Sequence, residues 1–186
     1  MSYKYTWLDK FKQLLTKDLP NFFRNIYKFR KALWNHKWWD YSGTLDFIQL
    51  GVEDIANGVE KKGMEVKVTR MKKVERMRRV VEIIKNIRED RYFDIVEVEM
   101  SRGLKIGFNY EFVPCEDSPG FFEMVDKDSQ EEQEFKDKYF DRVRELEESE
   151  WKELWDILKG PDYSKFDKNK DWESQYDGSG LKSWWD

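Results

Sequence analysis

The side chains that invite a chemical reading are basic groups interleaved with flat rings. Arg24, Lys28, Arg30, Lys31, Trp34, His36, Lys37, Trp38, Trp39 and Tyr41 crowd one stretch, and Arg70, Lys72, Lys73, Arg76, Arg78 and Arg79 crowd another. Rings stack on nucleobases, at ~1–3 kcal/mol each, while Arg and Lys neutralise phosphate oxygens. The constellation suits a nucleotide or a single strand. Trp34, Trp38, Trp39 and Tyr41 would stack, and Arg24, Lys28, Arg70, Lys73 and Arg76 would hold phosphate. The plainer reading of the same residues is structural. Lys72, Arg76 and Arg79 stand opposite an apolar stripe, the pattern of a solvated helix face, and clustered tryptophans also make corners of core. Arg70 is less ordinary, because it falls in line with Val74, Met77 and Val81. There it snorkels, pairs with an acid or points into a pocket.

Signatures of catalysis are sparse. His36 is the single histidine, so a nitrogen-ligated metal centre lacks its ligands. No Gly-rich loop of the strand–loop–helix kind is present to cradle a phosphate. Cys115 and His36 offer a nucleophile and a base, but they are far apart in sequence and the cysteine lies in a loop flanked by Pro114 and Pro119. Glu145, Glu147, Glu148, Glu150 and Glu153 read as a solvated helix face. Asp167, Asn169 and Asp171 open like a calcium loop of the EF-hand type. Trp172 then stands where a glycine must turn, and Gly178 where a bidentate glutamate must bind. The expectation is a protein that is not an enzyme, with no catalytic residues, no metal site and no cofactor.

The elements that must position these groups are built from an unusual composition. Hydrophobic and charged residues are each 39% of 186, yet 17% are aromatic and nine are Trp, which sets the chain apart from disordered sequences. One cysteine excludes an internal disulfide, and no apolar run approaches the ~18 residues of a membrane span. The expected setting is therefore a reducing cytoplasm with no membrane partner. The net charge of −4 conceals a division: residues 1–91 hold 21 Lys and Arg against 12 Asp and Glu, and residues 92–186 hold 13 against 26. Such halves satisfy each other across the fold or between subunits, or meet separate partners. The acidic balance argues against duplex nucleic acid and favours a small anion in a local basic pocket.

Periodicity predicts mainly helix. Residues 5–17 form a short amphipathic helix, Asp18 and Pro20 stop and restart the chain, and 20–35 form a second with Phe22, Ile26, Phe29 and Leu33 on one stripe. Thr44 caps a third, whose Leu45, Ile48, Val52, Ile55 and Val59 make a seam, and Gly63 ends it. A fourth spans roughly 65–90 and runs on toward Met100. Residues 104–113 alternate like a strand, either a hairpin or an extended segment laid on helices, and 114–129 read as loop. An acidic helix covers about 130–159 and stops at Gly160-Pro161. The fold class is a helical bundle of about five to six helices with a strand-like insertion near 104–113. The domain covers 1–160, and 161–186 form a polar tail whose aromatics staple it to the bundle or to a partner.

The runs Leu33–Tyr41, Trp151–Trp155 and Asp177–Asp186, with their double-Trp motifs, resemble a family of small uncharacterised proteins encoded by tailed bacteriophages. The resemblance runs along most of the chain and implies a setting in a bacterial host, as a counter-defence, assembly or virion protein. It brings no established activity and no functional residues. The leading expectation is sequestration of a phosphate-bearing small molecule, such as a nucleotide immune signal, by the basic-aromatic pocket, with a homo-oligomer interface as one place for it. The alternative is a protein-interaction module, an inhibitor or scaffold for a host or phage protein, acting through helix 130–159 and the aromatic tail.

Overall fold

A computed structural model describes residues 6–100, 107, 109–115, 117 and 119–184. The chain is mainly α-helical, as expected, with one small antiparallel hairpin. Helix α1, Trp7–Gln13, opens with a capping box in which Thr6 and Asp9 satisfy each other's backbone N–H groups. The predicted stop at Asp18 and Pro20 does not occur. A π-helical turn, Leu14–Asp18, carries the chain straight into α2, Leu19–Asn35. Pro20 lies in the first turn of α2, where its missing N–H breaks little, and the wider turn absorbs the extra residue.

Asp40, rather than Thr44, caps α3, Tyr41–Lys62: its carboxylate accepts from the Ser42 N–H at 2.9 Å. Gly63 ends the helix as expected, and α4, Lys67–Arg88, returns along it. Arg88 pairs with Asp46 at one end of this hairpin and Arg70 reaches Gly63 at the other, which makes the two helices antiparallel. The fourth helix does not run on to Met100. Asp90 adopts the left-handed conformation at φ 51°, one that Asp tolerates better than most residues, and a separate α5, Tyr92–Met100, begins after it. That break lets Tyr92 and Val96 enter the core.

The core centres on α4, where Met77, Val80, Ile83 and Ile84 are fully buried. Val52, Ala56 and Val59 of α3 meet them from one side, and Tyr92 and Val96 belong to the same cluster. Apolar positions at steps of three and four let the ridges of one helix enter the grooves of the next. Each fully buried aliphatic contributes about 1.5–3 kcal/mol of transfer free energy, so this cluster dominates the stability.

The insertion is a hairpin. Strand β1, Tyr110–Pro114, pairs with β2, Phe122–Asp126, with Phe112 opposite Met124. Residues 104–106 and 108 of the predicted strand lie outside the described residues, and β2 occupies part of what reads as loop. Pro119 and Gly120 reverse the chain, and the Cys115 N–H donates to the Phe121 carbonyl to close the turn. Helix α6, Gln130–Lys159, has the predicted bounds. Ser129 and Glu132 form its capping box, and Gly160 at φ 77° ends it. Tyr139, Val143, Leu154 and Ile157 of α6 complete the core.

The tail is docked. Tyr163, Phe166, Trp172 and Tyr176 contact one another in series, with a short α7 at Trp172–Gln175. Tyr176 is 2% exposed and Trp184 1%. The Trp184 indole N–H donates to the Gly178 carbonyl at 2.9 Å, and the Lys72 ammonium donates to the carbonyls of Glu173 and Tyr176. Two close approaches explain the glycines of Asp177–Gly180. A Cβ on Gly178, at φ 92°, would lie 2.4 Å from the Lys72 backbone, and one on Gly160 would lie 2.5 Å from Gly180 Cα.

Candidate functional site

Four of the five basic side chains expected to hold phosphate are tied within the fold; the fifth, Arg24, is exposed on α2 and has no ion pair among the described residues. Lys28 of α2 pairs with Asp54 of α3. Arg70 donates to the Gly63 carbonyl at 2.8 Å, closing the end of α3, and Lys73 is buried against Glu65. Arg76 lies 3.4 Å from Asp177 of the tail, and Arg78 lies 2.9 Å from Glu60. Lys72, Arg76 and Arg79 thus differ from a free solvated face: they join α4 to the acidic second half of the chain.

Geometry also separates the expected stacking rings from those cations. Tyr41 starts α3 and Arg70 closes its far end; 22 residues of helix put ~33 Å between them. One small ligand within a single chain therefore cannot touch Trp38, Trp39 and Tyr41 together with Arg70 and Lys73. Nor do the rings form a slot: Trp38 and Trp39 meet edge-on at 89°, and Trp34 is 89% exposed. A cleft of about 530 Å3 between α4, α6 and the tail holds Arg76, Lys152 and Lys159, but also Glu153, Asp156, Asp162 and Asp177. Its signs are mixed and its walls carry no aromatic ring, so it suits neither phosphate nor base.

Sequence reasoning missed the polar centre of the bundle. Glu150 of α6 is 7% exposed, not part of a solvated face. It accepts from Arg79 at 2.9 Å, from the Asn86 amide at 3.1 Å and from the Tyr92 hydroxyl at 3.0 Å, so one carboxylate joins α4, α5 and α6. Arg79 also forks onto Glu153 at 3.0 and 2.7 Å, and this pairing holds the Glu153 carboxyl below its usual range. Burial, with the Glu150 charge close by, pushes the Tyr92 phenol up. The signal was present in the spacing: Glu150 falls on the stripe of Tyr139, Val143, Leu146, Leu154 and Ile157.

The remaining chemical groups have local duties. Cys115 stands at the hairpin turn and His36 packs edge-on to Phe47 at the α2–α3 corner. Asp167 accepts from the Asn169 N–H and Asp171 caps α7 through Ser174, so both carboxylates satisfy backbone. Among the described residues no cluster of three or more His, Cys, Asp or Glu is placed to hold a metal ion. No described helix is long and apolar enough to cross a membrane.

The feature that stands out is the arm formed by α1 and α2. Its contact with the body is α2 on α3 through Lys28, Phe29 and Ala32, with Phe29 stacked on Phe47. Apart from Phe29, the apolar stripe is left uncovered. Every side chain from Lys10 to Tyr27 is exposed, and Trp7, Leu8, Phe11, Leu15, Phe22, Phe23, Leu33 and Trp34 are largely in solvent. Single exposed apolar residues are ordinary, but a continuous face of this extent is not. No family model, curated protein or solved structure matches the chain.

Proposed function

We propose that this protein is a non-catalytic protein-interaction module whose docking surface is the apolar face of the α1–α2 arm, with Trp38 and Trp39 at its corner. The observation that carries this reading is the unbroken exposure from Lys10 to Tyr27 on an amphipathic helix. A helix normally buries such a stripe, because each large side chain left in water forgoes about 1.5–3 kcal/mol. The aromatic tail, the other candidate surface, covers its own bundle instead, with Tyr176 and Trp184 buried. Aromatic anchors on a rigid helix suit a helix-in-groove partner. The resemblance to phage proteins fits an assembly or inhibitory role.

Photo-crosslinking tests the reading. Benzoylphenylalanine in place of Phe23, illuminated in cells that make the protein, is expected to give discrete protein adducts that Phe22→Ser with Trp34→Ser removes. Adducts confined to lipid, or none, would overturn it. Native mass spectrometry with mono-, di- and cyclic nucleotides is the second arm: a stoichiometric, unaltered nucleotide adduct would instead establish sequestration.

A further inference from the structure

We infer that the occupant of the arm is the α6 face of a second copy of this chain, in a reciprocal two-fold exchange; this rests on the reading of the arm as a protein-docking surface. The first ground is charge. Residues 7–35 carry Lys10, Lys12, Lys17, Arg24, Lys28, Arg30 and Lys31 against Asp9 and Asp18, a balance of +5, and Gln130–Lys159, with Glu150 and Glu153 set aside because they answer Arg79, carries nine Asp and Glu against six Lys and Arg, a balance of −3. Within the described residues only Lys28 of the arm forms an ion pair. Lys10, Lys12, Lys17, Arg24 and Lys31 have none, and Glu131, Glu134, Asp137, Glu148 and Asp156 of α6 likewise form no ion pair among the described residues. The basic half and the acidic half neutralise each other inside the fold at α4, through Arg76 and Arg79. The arm and the outer face of α6 are the parts of those halves left over.

Shape agrees with charge. The arm from Trp7 to Asn35 is ~43 Å long and α6 ~45 Å, so the two helices match end to end. The outer face of α6 also offers a ring to an apolar partner: Trp155 is 66% exposed, with Trp151 one turn away at its flank. Two such contacts, each roughly 40 Å long and 10 Å wide, bury on the order of 1,600 Å2 in all, the area of a standard specific interface. A two-fold axis closes the exchange, because the arm of each copy meets the α6 of the other and no patch remains to propagate a filament. Arm against arm would set +5 beside +5, and an anionic bilayer would face the acidic α6 of the same molecule; opposite potentials across the contact favour neither.

The test uses the full chain. Zero-length carboxylate–amine coupling of a mixture of 14N- and 15N-labelled protein is expected to give mixed-isotope peptides joining Lys10, Lys12, Lys17 or Lys31 to Glu148 or Asp156, and sedimentation to give a salt-sensitive dimer. Lys12→Glu with Lys17→Glu and Lys31→Glu should weaken the dimer at least ~30-fold without changing the melting temperature, and Glu134→Lys with Asp137→Lys and Glu148→Lys in the second copy should restore the mixed dimer. A species that stays monomeric at micromolar concentration overturns the inference, as do dimers whose cross-links join arm to arm. Floatation with phosphatidylglycerol vesicles in the absence of a dimer would overturn both this inference and the protein-docking reading. A monomer whose Phe23 photo-adduct is a different protein would sink the second copy alone.

Discussion

Gly178 has φ 92° and lies against the Lys72 backbone, so it allows no side chain. Gly178→Ala combines a left-handed alanine with a backbone clash and is expected to cost about 2–4 kcal/mol. The readout is twofold: a lower melting temperature, by roughly 5–10 °C, and a red shift in tryptophan emission as Trp184 leaves the core. Glu150 is the second residue on which much depends. Glu150→Leu leaves the Asn86 amide and the Tyr92 hydroxyl buried without their acceptor, and urea unfolding should show a loss of about 3–5 kcal/mol. A loss below 1 kcal/mol would mean that the carboxylate is not the junction of the three helices. At this scale the sequence was legible only in part. Pattern alone marked Arg70 as unusual, but its role, donating to the last carbonyl region of α3 at Gly63, depends on the α3–α4 turn.

Tyr176 ties the tail to the bundle, and burial pushes its phenol up to about 12 from 10.0, against the opposing effect of its hydrogen bond with Ser183. The fold therefore favours the neutral phenol. That contribution is complete below pH 10 and is lost as pH rises from about 10 toward about 12. Urea midpoints taken across this window should fall more steeply in the wild type than in Tyr176→Phe; parallel curves would show that the tail carries no such linkage. Among the elements, α6 was read from sequence with its bounds correct, because Ser129, Glu132 and Gly160 are strong local signals. The α4–α5 break was missed because it rests on one aspartate, Asp90, in a conformation that no neighbouring Gly or Pro announces. Strand β2 was missed for a different reason: its partner lies eight or more residues away, and the pairing rather than the local pattern makes it a strand.

The molecule as a whole is a bundle closed by its own C-terminal segment, with the arm of α1 and α2 leading away from it. Deleting residues 161–186 should lower stability by at least about 3–5 kcal/mol, since Trp184 and Tyr176 are core residues and Lys72 loses two acceptors. Denaturant titration decides this, and a deletion that leaves the midpoint in place would show the tail to be a separable appendage. Phe22→Ser with Trp34→Ser, by contrast, should leave the monomer's stability within about 0.5 kcal/mol, because both rings are exposed. The sequence by itself determined the helical class, the ends of α6 and the stop of α3 at Gly63, the charge division and the single histidine. Those properties depend on residue type and on spacing within one element. The tertiary structure alone decided which stripe is covered, that the cations of α4 answer acids of α6 and the tail, and that the rings near Trp38 and the cations near Arg70 stand at opposite ends of α3. Periodicity shows that a face is apolar, but the partner that covers it is set by packing between elements distant in the chain.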